Sequence, residues 1–351
     1  MKKSLGLIVL CIVVALSLTA CGGQSSTSGT SGGEAPKSTS PDPAAMTPSQ
    51  GDEQEKPQEL KKVSLSLPAK SLVGLPNYIG VEKGFYQEEG IDLDIQVIKP
   101  STAVAAVLSG DVPYTLATGS SLNSNVASGT DIKVVMITIE NLGFSLFSAK
   151  DITTVQGLEG KTVMVTNAGA TDHYALRGIL ADAGLDPDKY VNVVSATTTA
   201  NSWSSLSGGA AQGAMLSPPF SQMAEQQGFH RLKDAKDVIK RQNGGLAVAS
   251  DYLQKNRDEV EKVIRATWKG IEFIRANKDE TVDFISKFWE LDPALAEGAY
   301  EDILGVLTDD GVVDEAILQI ELDDIKAKTR SNSTLQPADV VDFSIVESIT
   351  H

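Results

Sequence analysis

From about Lys61 to Gly245 the chain alternates short strand signals with short helix signals, and polar, glycine-rich turns separate the two. Val63-Ser64-Leu65-Ser66-Leu67 places apolar and polar residues with period two, and Ile91-Asp92-Leu93-Asp94-Ile95-Gln96-Val97 repeats the pattern. Between them Pro76 opens a helix and Gly84 closes it. Ser101 caps a short apolar helix that ends at Gly110. Strands are predicted at 114–117, 134–138, 144–149, 162–165, 191–194 and 214–216, with a helix over 171–183 stopped by Gly184. The rhythm predicts an α/β fold with mixed, mostly parallel sheets. Beyond Gly245 the character turns helical. Val260, Ile264, Trp268 (or Thr267), Ile271 and Ile274 recur at helical spacing over 256–276, and further helices are predicted at 278–289, 293–306 and 314–328. Trp268 and Trp289 fall on these apolar stripes and read as core.

The N-terminus is separate from this pattern. Lys2 and Lys3 precede an apolar run of 14 residues, 5–18, where a transmembrane helix needs roughly 20. The run reads as a secretory signal, and Leu18-Thr19-Ala20-Cys21 resembles the lipobox of bacterial lipoproteins. That resemblance implies cleavage before Cys21 and lipidation of its thiol, with several acyl chains giving a stable anchor in the lipid bilayer. Of the 39 residues at 22–60, 22 are Gly, Ser, Thr or Pro. Such a segment buries too little apolar surface to offset its ordering entropy, so a tether is expected over 21–60, after a signal peptide at 1–20.

Charge and composition exclude several functions. The 351 residues carry 46 Asp and Glu against 30 Lys and Arg, net −16, and removal of Lys2 and Lys3 brings the net to −18. A polyanion such as nucleic acid is therefore not an expected partner. Three His and two Cys, without a His-Glu-x-x-His run or a Cys pair, point to no metal and no cofactor. There is no Gly-x-Ser-x-Gly elbow. His173 beside Asp172 leaves a serine triad open, although two polar residues in the first turn of a helix are the simpler reading. Gly157-Leu158-Glu159-Gly160-Lys161-Thr162 has two residues between its glycines where a phosphate loop needs four, and it precedes a strand; it reads as a turn.

What remains is a set of small, polar turns at predicted strand ends: 69–75, 118–121, 167–172, 195–199 and 217–220. In open α/β sheets, ligands bind beyond the carboxyl ends of strands, where backbone N–H groups at helix starts face the cleft. These turns suggest a small-molecule cleft and define no reaction.

Residues 75–93, Leu-Pro-Asn-Tyr-Ile-Gly-Val-Glu-Lys-Gly-Phe-Tyr-Gln-Glu-Glu-Gly-Ile-Asp-Leu, resemble the opening of the solute-binding proteins of ABC importers. The resemblance is to the group that includes aliphatic-sulfonate, taurine, nitrate and thiamine-precursor binders. Gly110-Asp111-Val112-Pro113-Tyr114, Leu158-Glu159-Gly160-Lys161-Thr162-Val163, Ser217-Pro218-Pro219 and Val248-Ala249-Ser250-Asp251-Tyr252-Leu253 follow in the family's order, and the likeness spans about 62–328. It implies a type 2 periplasmic-binding fold. Lobe one would be 61–148 plus 246–351 and lobe two 149–245, with two crossover strands near 148–151 and 244–247. Solute would bind between the lobes, and closure would be a hinge motion reported to a membrane permease and its ATPase.

Carried onto this sequence, the resemblance implies ligand-binding roles for Leu72, Gly74, Leu75, Thr118, Gly119, Ser120 and Ser121 in lobe one, with Asn141 near the hinge. Lobe two would contribute Asn167, Gly169, Ala170, Thr171, Asp172, Ser217, Pro218, Pro219 and Phe220. Tyr78, Phe144, Trp203 and Phe220 are the candidate stacking residues. Sulfonate binders of the family commonly use a basic residue, and these loops hold none beyond Lys70. A monomeric, extracytoplasmic, lipid-anchored, non-enzymatic solute binder is the expectation. The alternatives are a ligand-sensing lipoprotein acting on another membrane partner, or an enzyme like the fungal pyrimidine-synthesising relatives. Those relatives use a Cys-rich motif, which a chain whose one mature Cys is lipidated would lack.

Overall fold

The computed structural model describes residues 59–351. The expected signal peptide, Cys21 and the tether, apart from Glu59 and Leu60, lie outside the described residues. Among the described residues no helix is long and apolar enough to cross a membrane.

The first period-two segment opens one sheet. β1 (Lys61–Leu67) runs parallel to β2 (Ile91–Val97), with Lys61 opposite Ile91 and Leu67 opposite Val97. β2 is the edge strand, and its exposed Asp92 and Asp94 place charge where an open edge would otherwise invite pairing with another chain. On the other side of β1 come β3 (Tyr114–Thr115), β10 (Gly244–Ala249) and β4 (Ile132–Ile139), with β10 antiparallel to both its neighbours. Every residue of β10 is buried, because helices cover both faces of the sheet. Leu246 and Val248 join the core beneath α1 (Leu75–Glu82) and α9 (Arg257–Ala276). Ala247 and Ala249 point the other way, toward α3 (Pro100–Ser109), α4 (Thr118–Ser128) and α12 (Glu315–Thr329).

The second sheet repeats the plan. β7 (Asn192–Ser195), β6 (Thr162–Val165) and β8 (Gly213–Leu216) are parallel, and β5 (Ser145–Ser148) runs antiparallel between β8 and β9 (His230–Asp234). Val163 and Val165 pack under α5 (Thr171–Asp182), while Met164 and Phe147 pack under α6 (Thr199–Ser207) and α7 (Phe220–Gln226). The remaining helices belong with the first sheet: α2 (Phe85–Glu88), α8 (Ser250–Lys255), α10 (Lys278–Trp289), α11 (Pro293–Leu304), α13 (Pro337–Val340) and α14 (Ser344–Thr350).

α9 carries Asp258 and Glu259 in its first turn and Arg275 in its last, the arrangement that suits the helix dipole. Its buried face meets α1 at close range: a Cβ on Gly270 would lie 2.2 Å from the Pro76 carbonyl oxygen. Asp292 and Asp314 begin α11 and α12 by accepting hydrogen bonds from Ala294 N and Ala316 N.

The two sheets define two lobes, and the chain passes between them at 140–144 and 235–243. These passages differ from the crossovers expected at 148–151 and 244–247. Ser148 already pairs with Gly213 in the second sheet, and Ala247 pairs with Thr115 in the first. β5 and β10 are interior strands of their sheets, and the polar β9, which partners β5, gives no strand signal of its own.

Candidate functional site

A cleft of about 590 Å³ lies between the lobes, lined from both sheets and both passages. Lobe one contributes the loop before α1 and the start of α4. Lobe two contributes the starts of α5 and α6 and the β8–α7 turn. α4 and α5 begin without a side-chain cap, and Thr118, Gly119, Thr171 and Asp172 of their first turns line the cleft. Leu72, Val73, Leu116, Ile139, Phe144, Ile303, Val306 and Ile325 make the apolar part of the lining.

Of the sequence-predicted residues, Leu72, Thr118, Gly119, Asn167, Gly169, Ala170, Thr171, Asp172, Ser217 and Pro218 border this cleft, as does Phe144. Others stand elsewhere. Gly74 and Leu75 are buried in lobe one, where a Cβ on Gly74 would meet Leu67 at 2.6 Å. Ser121 is buried within α4, with its hydroxyl donating to Ala117 O. Tyr78 belongs to an aromatic group with Phe288 and Trp289, at 4.6 and 5.7 Å between ring centroids, because α10 folds over α1. Trp203 is 7% exposed in the lobe-two core and meets Phe229 edge-on at 5.2 Å. Its polar neighbours in sequence occupy other faces of α6. Phe220 packs against that same core, and Pro219 lies just ahead of it at the start of α7. Asn141 lies in the first passage, donating to Glu140 Oε1, and its own Oδ1 is buried without a partner.

The Asp172–His173 pair is not arranged for nucleophilic catalysis. Asp172 accepts from Thr166 N at 2.5 Å and Thr166 Oγ1 at 2.8 Å, and also from His173 N, which ties the end of β6 to the start of α5. Burial pushes its carboxyl up from the usual range, against these hydrogen bonds. His173 Nδ1 accepts from Gly169 N at 2.7 Å, and burial, together with Arg177, lowers the imidazole pKa.

The basic residues of the cleft arrive from segments that the sequence pattern did not single out. Lys70 itself turns away, donating to Phe288 O at 2.8 Å. Arg241 comes from the second passage and Lys328 from the far end of α12, and both ammonium and guanidinium lie over the ring of Tyr174, at 5.1 and 4.7 Å. Lys328 also donates to Gly169 O across the lobes at 3.1 Å. Arg241 lies 3.4 Å from Glu321 Oε1 and 3.3 Å from Asp324 Oδ2. The Glu321 contact is an ion pair by distance without the alignment of a hydrogen bond, so Oε1 remains without a donor. Its other oxygen accepts from Gln242 Nε2 at 3.2 Å, and Gln242 Oε1 accepts from the Thr118 hydroxyl at 2.6 Å. Glu321 is 2% exposed, and burial pushes its carboxyl up to about 6 in spite of Arg241. The spacing Glu321, Ile325, Lys328 is i, i+4, i+7, one face of α12, and the polar run Lys240-Arg241-Gln242-Asn243 ahead of two glycines was the available signal for the passage.

Thr197 adds a strained feature. This β-branched residue has φ 73°, a left-handed conformation that normally favours glycine, and it leads Thr198 and Thr199 along the cleft into α6.

Comparison with known proteins places this architecture. The chain is 25% identical over 292 residues to the riboflavin-binding protein RibY of Chloroflexus aurantiacus, covering 81% of this chain and 78% of that one. It is 22% identical to the putative binding protein YtlA of Bacillus subtilis, over 70% of this chain and 76% of the relative. The solved periplasmic aliphatic sulphonate binding protein SsuA from Escherichia coli superposes with a TM-score of 0.66 at 17% identity, over 79% and 91% of the two chains. At this identity the likeness establishes the shared two-lobed fold. The family described as NMT1/THI5 like matches residues 74–281, more than half of the 351, and the chain is a member of that family.

Proposed function

We propose that the chain is the extracytoplasmic solute-binding component of an ABC importer, capturing an organic solute between its lobes and delivering it to a permease without chemical change. The observation that carries this reading is the interlobe cleft of about 590 Å³, lined from both lobes and both passages. That volume falls within the roughly 300–1,000 Å³ of sites for drug-sized ligands and is far larger than an inorganic oxyanion needs. The relatives support it, since RibY and SsuA are both named as binding proteins.

Charge narrows the solute. Arg241 is matched by Glu321 and Asp324, Asp302 by Arg231, and Asp172 accepts from its own turn, while the Lys328 ammonium donates to the Gly169 carbonyl and keeps its charge at the cleft. Beside Lys328, the polar side chains left to meet a solute are neutral: Ser71, Asn123, Asn167, Thr171, Thr199, Ser217 and Asn243. Hydroxyls, amides and helix N-termini beside an apolar wall suit a neutral or weakly charged organic molecule with several polar edges. Leu72, Thr118, Gly119, Asn167, Thr171, Ser217 and Phe144 are the proposed contacts from the expected set. Anchoring through lipid on Cys21 belongs to the same proposal and rests on the lipobox resemblance.

Thermal unfolding against flavins, pyrimidines, alkanesulfonates and nitrate tests the solute class. A true ligand at 100 times its dissociation constant stabilises by roughly 2.7 kcal/mol. Stabilisation by nitrate alone would refute the organic-solute reading, and turnover of a bound compound would refute the transport reading. Incorporation of labelled fatty acid, lost in Cys21→Ser, tests the anchor.

A further inference from the structure

We propose that the contact between α11 of lobe one and β9 and α7 of lobe two is a latch that holds the lobes together before any solute arrives. Asp302 on α11 takes its hydrogen bonds from the other lobe. Arg231 Nη2 donates to Oδ2 at 3.0 Å and Nη1 to Oδ1 at 3.3 Å, a fork against a carboxylate. Gln222 Nε2 donates to Oδ2 at 2.6 Å, and the Ser221 hydroxyl reaches the same oxygen at 3.4 Å.

Lobe two holds Arg231 in readiness. Its Nε donates to Glu225 at 2.6 Å, and its Nη1 to Ser145 Oγ at 3.0 Å and Asp234 Oδ1 at 3.1 Å. The Arg231 and Asp302 side chains are 21% and 25% exposed, so the pair is shielded from the solvent and salt that make open surface pairs weak. Through Ser145 and Asp234 the pair is tied to the ends of β5 and β9 that meet the passages, and Asp302 itself borders the cleft.

A second observation is independent of charge. Gly298 sits within α11, where alanine would be the better helix former, and a Cβ there would meet Gln222 Cγ at 2.7 Å. Gln222 Nε2 also donates to Gly298 O at 3.2 Å. Glycine at this point lets α7 approach α11 closely enough for the whole hydrogen-bonded group to form. The latch rests on the two-lobed reading of the cleft and acts whatever the solute is.

The test is the distance between spin labels on cysteines at Lys99 in lobe one and Ala200 in lobe two, in the detergent-solubilised full chain with Cys11 and Cys21 replaced by serine and no solute added. Asp302→Asn removes the charge and keeps the shape; Gly298→Ala wedges the same contact and leaves every charge in place. The expected result is a longer mean distance, or a second and longer population, in both variants relative to the parent. An unchanged distribution in a variant whose circular dichroism matches the parent would overturn the latch, and either variant suffices if the other fails to fold. Because no solute is present, failure here leaves solute binding standing, whereas a silent ligand screen leaves the latch standing.

Discussion

Replacing Glu321 with glutamine should make the protein relatively more stable as pH rises, the opposite of the usual result for a buried carboxylate in an ion pair. Glu321 is 2% exposed, and its pKa moves from an ordinary 4.5 to about 6, with burial the largest cause. The fold therefore favours the protonated form. Below about 4.5 the group is protonated in both folded and unfolded chains and costs nothing. As pH rises through 6 the folded protein must ionise it in a dry site. The shift corresponds to a penalty of about 2 kcal/mol, complete above pH 7. Glutamine carries no such penalty, and the Arg241 attraction that it gives up is already counted in the net shift, since Arg241 lowers the pKa against burial. The assay is urea unfolding of both proteins at pH 4.5, 5.5, 6.5 and 7.5, read as variant minus parent. That difference should climb by about 1.5 kcal/mol across the series, because the unfolded chain is already half ionised at pH 4.5. A flat difference would mean that Glu321 is hydrated despite its burial, and a falling one would mean that Arg241 dominates the carboxylate's energy.

Three further outcomes follow from the same geometry. Arg241→Ala leaves Glu321 buried with Gln242 as its remaining donor, and should destabilise by about 1–3 kcal/mol in urea at pH 7.5; no loss would place the guanidinium in free solution. Thr197→Gly removes a left-handed β-branched residue and should hold or raise the melting temperature while weakening solute binding in the thermal-shift assay, whereas a clear fall in melting temperature would refute the strain argument. Gly270→Ala forces a methyl to within 2.2 Å of the Pro76 carbonyl and should cost about 1–3 kcal/mol by parting α1 from α9, a reading that an unaltered urea midpoint would exclude.

Much of the architecture was legible where a segment has one covered face. The periodic β1 and β2 and the striped α9 and α10 stand within a residue or two of their expected bounds. Legibility failed where burial comes from both sides or where side chains are small and polar. α4, with the sequence TGSSLNSNVAS, offers few helix formers and is held by packing against α12 and β10. β9, HRLKD, is half-buried along its length and shows no alternation, which is why the passages were displaced. The site divides the same way. Turns at strand ends are visible as composition, so most of the cleft's loops were found. Arg241, Glu321 and Lys328 were not, because only the tertiary fold brings a passage and a C-terminal helix to the cleft that the strand-end turns line. Trp203 illustrates the converse: an aromatic flanked by polar residues can still point inward from a helix.

The strand order β2-β1-β3-β10-β4 also dictates when each lobe can be finished. β4 has no strand partner in its sheet except β10, which is made more than 100 residues after it, and in between the chain must complete the whole of the second sheet. Lobe two is one uninterrupted stretch and can close on itself as soon as 145–234 is available. Lobe one stays an open, three-stranded fragment with β4 unpaired until 244–249 slots into its centre, and its share of the cleft floor waits longer still for α12. Contacts so distant along the chain are slow to form. The binding surface is therefore the last part of the molecule to exist, and a chain that stalls late in folding would carry a finished lobe two with nothing to close against.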